Sequence, residues 1–127
     1  MPLRDYSQRI HELLVTSVQV GTFSLSFDER SAKAAFLHGS IALVDGSSLH
    51  FKEFIVADPE VWKVKYGYHW ATKDGTLIFR YDNAADPAVS RLVTFPHHKH
   101  TPSGIEGSDQ PTLGSVLHEI ARLIPGS

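Results

Sequence analysis

The run Phe95-Pro96-His97-His98-Lys99-His100 places three imidazoles and one ammonium in four consecutive positions. Histidine titrates near neutrality, so such a run can take and give protons, with Lys99 stabilising developing negative charge or holding a phosphate. It can instead ligate a metal: His97 or His98 with His100, completed by Asp82 or His69 from an earlier segment. No HExxH helix or cysteine pair supports that second chemistry, and Lys99 among the ligands opposes a cation. A third reading is a solvated polar loop, and the sequence leaves all three open. So polar a run is costly to bury, which predicts an exposed position or the wall of a cleft.

Arg80-Tyr81-Asp82-Asn83 is the second candidate. Arg80 can hold an anion while Asp82 orients a histidine. The structural alternative has Asp82 and Asn83 bonding turn backbone and Arg80 pairing with Asp82 or Asp86. Both candidates lie in residues 62–100, which hold four of the eight histidines and carry a formal charge of +3. Residues 1–61 carry −3 and residues 101–127 carry −2. His11, His38, His50 and His118 are scattered and receive no role.

The elements that must position these groups follow from periodicity. Residues 5–17 read as an amphipathic helix with Tyr6, Ile10, Leu13 and Leu14 on one stripe and Asp5/Gln8 as a capping box. Residues 18–28 alternate as a strand whose phase breaks at Gly21-Thr22, predicting a bulge. Residues 34–44 and 49–57 form strands joined at Asp45-Gly46, a hairpin signal. Along 62–71, Trp62, Val64, Tyr66, Tyr68 and Trp70 point one way, towards a core; Lys63, Lys65, Gly67 and His69 point the other. After Asp74-Gly75, residues 76–83 return as a strand, so that His69 and Arg80 can share a face. LVTF at 92–95 is a candidate last strand, TPSGIEGSDQP reads as loop, and 112–124 as a helix capped by Asp109 or Thr112. The order predicts a single α+β domain over residues 1–127. In it an antiparallel sheet of about five strands is flanked by an N-terminal and a C-terminal helix.

Composition excludes several classes. With 42% hydrophobic and 20% charged residues the chain has the make-up of a globular domain. The absence of cysteine removes thiol and disulfide chemistry and suits a reducing compartment. No apolar run approaches the ~18 residues of a membrane helix, and the N-terminus lacks a signal-peptide core, so a cytoplasmic protein is expected. No phosphate-binding glycine loop, GxSxG or dinucleotide fingerprint is present, so no cofactor is expected.

The ordered set Tyr66-Gly-Tyr-His69-Trp, Asp74-Gly, Leu77-Ile-Phe-Arg-Tyr-Asp-Asn-Ala84 and Phe95-Pro-His-His-Lys-His100 resembles the TumE-like family. These are small bacterial and archaeal proteins encoded beside a partner and classed as toxins of toxin–antitoxin pairs. The resemblance covers roughly residues 40–124. Its matching positions are Tyr68, His69, Arg80, Tyr81, Asp82, Asn83 and Pro96 through His100. Where the family often continues Asp-Asn-Ala with Pro-His-His, this chain has Ala85-Asp86-Pro87, which removes two imidazoles from that turn. The resemblance implies a cognate antitoxin-like partner. Together with the basic, histidine-bearing segment it suggests metal-independent cleavage of RNA. His69 or His98 would be the base, His100 the acid, Arg80 and Lys99 the charge stabilisers, with Asp82 and His97 in the same catalytic set. Tyr68, Tyr81, Asn83 and Lys65 would contact the substrate. The competing readings are a non-enzymatic partner-binding protein and a histidine-rich metal-binding domain.

Overall fold

The computed structural model describes residues 2–124. A helix, α1 (Pro2–Thr16), is followed by seven strands: β1 (Val20–Ser31), β2 (Ala34–Leu43), β3 (Ser48–Ala57), β4 (Val61–Ala71), β5 (Leu77–Asp82), β6 (His98–Thr101) and β7 (Gly104–Gly107). A second helix, α2 (Leu113–Leu123), closes the chain. Each strand pairs antiparallel with the next in sequence, so the sheet is a simple meander in chain order. The α+β class and the flanking helices are those expected, with seven strands in place of five.

Local chemistry accounts for the turns. Gly46 (φ 90°) and Gly75 (φ 92°) occupy the left-handed region that a side chain disfavours, and they close the β2–β3 and β4–β5 hairpins. The phase break at Gly21 is present as a register shift between Val20 and Thr22. Thr112 and Ser115 form a capping box at the start of α2. α1 begins earlier than expected: Pro2 stands in its first turn, where a missing N–H costs nothing, and Asp5 lies inside that turn rather than capping it.

One face of the sheet carries the core. Leu37, Ile41, Leu49, Phe51, Tyr68, Trp70 and Phe79 meet Ile10 and Leu14 of α1 and Leu113, Leu117 and Ile120 of α2. Within this face sits a fully buried carboxylate, Glu53, which accepts from the hydroxyls of Tyr6 and Tyr68 and lies 3.8 Å from Lys63 Nζ. Lys63 in turn donates to Tyr68 Oη at 2.6 Å and to the Pro111 carbonyl. Burial lowers the Lys63 pKa, against the pull of Glu53. Lys63 was expected on the opposite face. An irregularity opposite Phe54/Ile55, centred on Val64, shifts the β4 phase, so Lys63 turns inward and Trp62 becomes half-exposed.

Two further expectations fail near the C-terminal edge. Residues 92–95 are not a strand. Hydrogen bonds from Leu92 to Val89, Phe95 to Leu92 and His97 to Thr94 wind them as successive turns that continue a short 3₁₀ turn at Pro87–Val89. The strand forms instead from His98-Lys99-His100-Thr101, and its partner is the Gly104–Gly107 segment that reads as loop. His98, Lys99 and His100 of the histidine run are therefore sheet, not an exposed loop, and His97 directly precedes the strand.

Candidate active site

Strand alternation sorts the polar residues of β3–β6 by face. Cross-strand pairing runs His50 to His69, His69 to Arg80 and Arg80 to His100, and the adjacent row runs Lys52 to Gly67, Gly67 to Asp82 and Asp82 to His98. All of these side-chain positions share the face opposite the core. His50, Lys52, His69 and Arg80 line one depression there, and Arg80, Asp82, His98, His100 and Ile105 line the next, with Arg80 common to both.

Asp82 is the hub. It is buried; its Oδ1 lies 3.0 Å from His98 Nε2 and accepts from the Ala84 amide at 3.0 Å. Its Oδ2 forms an ion pair with Arg80, 3.0 Å from Nε, and stands 3.5 Å from His100 Nε2. The functional and structural roles expected of Asp82 thus coexist: it holds a turn amide while orienting three cationic or imidazole groups. His98 is 2% exposed, and its Nδ1 contacts the Pro96 carbonyl at 2.7 Å. Both of its ring nitrogens are engaged by protein oxygens, which favours a positioning role over that of a direct base. Its ring is instead the floor on which His100 packs edge-on, centroids 4.7 Å apart.

His69 and His100 flank Arg80 on neighbouring strands, about 10 Å apart at the backbone given ~4.8 Å per strand. Burial lowers the His69 pKa, and Arg80 and His50 lower it further. Burial also lowers that of His100, but Asp82 opposes the shift. Every influence on His69 favours the neutral ring, whereas His100 alone of the two has a carboxylate beside it.

The other expected site residues go elsewhere. Lys99, between the two β6 histidines, points to the core side. There it pairs with Glu119 Oε2 at 2.7 Å and sits 5.0 Å over the Phe79 ring; Glu119 and Tyr81 hold its pKa up despite burial. Tyr81 donates to Glu119 at 2.6 Å on that same side. His97 Nδ1 contacts Tyr66 Oη at 2.8 Å and stacks on that ring. Tyr68 has no exposed surface, so the substrate contact expected of it is corrected to a core role. Asn83 brackets β4, accepting from Tyr66 N and donating to Val64 O, each at 3.0 Å. Lys65 is exposed on the outer face but beside Phe54, two pairs along from Arg80's row. His50 and Lys52 join the groove unanticipated. Their signal was the alternation His50–Phe51–Lys52–Glu53, which gains meaning only once β3 is set against β4.

Asp82, His98 and His100 each offer a ligand atom, all within 4.8 Å of one another, a spacing a divalent cation can bridge. Lys99 no longer opposes this, since it faces away. The guanidinium of Arg80, already bonded to Asp82, does oppose it by holding positive charge at the carboxylate. The ligand set that includes His97 is excluded by its position against Tyr66.

Among the described residues no helix is long and apolar enough to cross a membrane. Neither a curated protein nor a solved structure matches the chain. The family model described as Toxin TumE matches residues 10–125, nearly the whole sequence, in agreement with the motifs now seen to meet around Asp82. The chain belongs to the TumE toxin family, the toxin side of a toxin–antitoxin pair, and an antitoxin partner is implied with it.

Proposed function

We propose that this toxin is a metal-independent endoribonuclease whose chemistry lies in the outer-face groove. The observation that carries the reading is the row His69–Arg80–His100 on three adjacent strands, with a buried Asp82 braced behind it. His69, kept neutral by its surroundings, removes the proton from a ribose 2′-hydroxyl. The 2′-oxygen attacks the adjacent phosphorus, and Arg80 stabilises the charge gathering on the phosphoryl oxygens. His100, whose charged form burial disfavours and Asp82 supports, gives its proton to the departing 5′-oxygen. The products are a 2′,3′-cyclic phosphate and a 5′-hydroxyl. His98 acts through others, as a positioning residue that fixes Asp82 and the His100 ring. Lys99 and Tyr81 secure α2 to the sheet and take no part in the reaction.

Induced expression in a bacterial host, wild type beside His100→Ala and His69→Ala, tests the reading with total RNA as readout. Growth arrest with RNA ending in cyclic phosphates, lost in both folded variants, is the expected result. Arrest with intact RNA discards the nuclease while keeping the toxin. Full cleavage by either folded variant removes that histidine from the mechanism.

A further inference from the structure

The groove does not end at Lys52. Pairing of Phe36 with Phe54, and of Phe54 with Lys65, forms another cross-strand row on the same outer face of β2, β3 and β4. Phe36, Phe54 and Val64, with Lys52 and Lys65, line a depression of their own. Lys52 also lines the depression that holds His69 and Arg80. The two hollows therefore adjoin, with the Lys52 side chain lying over Gly67 between them, and Arg80 in turn borders the hollow of His100.

Neither phenylalanine belongs to the clusters that form the core, and both remain half-buried on an open sheet face while the two lysines are exposed. A stray surface phenylalanine needs no explanation. Two in a row, edged by lysines and opening into a cationic groove, are a different arrangement. The Phe36 ring already serves flat and cationic groups: the Arg30 guanidinium lies 5.8 Å from its centroid and the His38 ring 5.2 Å, tilted by 34°. An aromatic face bordered by ammonium groups suits a nucleobase with a phosphate on either side.

We propose that this patch is a base-binding subsite for single-stranded RNA, which rests on the ribonuclease reading and names its substrate class. An unpaired base stacks on Phe54 and Phe36, Lys52 and Lys65 hold neighbouring phosphates, and the strand runs on to Arg80. Only an unpaired base can offer its face to a ring in this way, so duplex RNA is a poor ligand. Lys65 precedes His69 by four residues, about 13 Å at ~3.3 Å per residue. The stacked base is therefore not the one at the scissile bond, and the subsite selects sequence or structure at a distance from cleavage.

Fluorescence anisotropy with a 2′-O-methyl oligoribonucleotide tests this on the intact protein, because the blocked 2′-oxygen prevents cleavage during titration. Phe54→Ala and Phe36→Ala should each weaken single-strand binding about 5- to 150-fold, the range of one lost base–aromatic stack. Phe54→Leu, which keeps the apolar bulk, should lose affinity with an unchanged melting temperature. Lys52→Ala should lower the slope of log affinity against log salt by about 0.7. Wild-type affinity in both folded phenylalanine variants overturns the subsite and leaves the nuclease reading standing. No RNA binding by the wild type, together with no cleavage, overturns both. Unchanged RNA affinity with lost antitoxin binding assigns the patch to the protein partner and also overturns the proposal.

Discussion

Two buried carboxylates, Glu53 and Asp82, sit on opposite faces of the same sheet, and each gathers polar partners. Glu53 is sealed: its partners Tyr6, Tyr68 and Lys63 belong to α1 and to the inward side of β4, and α1 closes over them. Asp82 is itself buried, as is His98 beside it. Its partners Arg80 and His100 keep 43% and 32% of their side chains exposed, so the charge it organises is delivered to solvent. Burial of an ionised group costs free energy in both places. At Glu53 the network secures a helix to the sheet; at Asp82 it positions groups that can meet a substrate. Exposure of Arg80 and His100, not burial of the carboxylate, separates the two networks.

Breaking the outer cluster should cost chemistry. His100→Ala should lower RNA cleavage about 10²- to 10⁴-fold, the usual worth of a positioned acid, with the melting temperature of the purified protein unchanged. Breaking the inner one should cost stability. Glu53→Leu strands the Lys63 ammonium in the core and should destabilise by about 3–5 kcal/mol in denaturant unfolding, with cleavage per folded molecule preserved. Asp82→Asn lies between: the weakened bonds to His98 and Arg80 should cost about 1.5–3 kcal/mol and also slow cleavage. If Glu53→Leu abolished cleavage in folded protein, the division between the faces would fail.

The smallest effects are in pH, and the two clusters should fail from opposite ends. His69 and His100 have folded pKa values below the ordinary 6.5. The unfolded chain protonates first, so their contribution is complete above pH 6.5 and is lost as pH falls below it. Tyr6 and Tyr68 are raised above the ordinary 10.0 by burial and by Glu53. The unfolded chain ionises first there, so their contribution holds below pH 10 and is lost as pH rises beyond it. Tyr6→Phe should flatten the alkaline limb of stability against pH and leave the acid limb alone. Cleavage should also fall as pH rises towards 6.5, because His100 releases the proton it must donate below its ordinary value.

The hairpins at Asp45-Gly46 and Asp74-Gly75, the break at Gly21 and the α2 stripe were legible because each is written in local spacing. The Val64 irregularity was not, since it shows only in the pairing of β4 with β3. Nor was β6: His98-Lys99-His100-Thr101 has no apolar period, and its strand character comes from pairing with β5 and β7. That pairing decided the site. It buried His98, kept His100, and sent Lys99 through the sheet. The residues named from sequence therefore include those that meet around Asp82, but which of them face one another required the register.

The meander has a consequence for how this protein is made. Because strand order equals chain order, a ribosome releases the groove residues in the sequence in which they stand across it: His50, His69, Arg80 and finally His100. The first five strands can pair as they emerge, yet His98 and His100 arrive only with β6, and α2 follows to cover the core. The groove is thus incomplete until β6 has emerged, well after the first five strands have had time to pair.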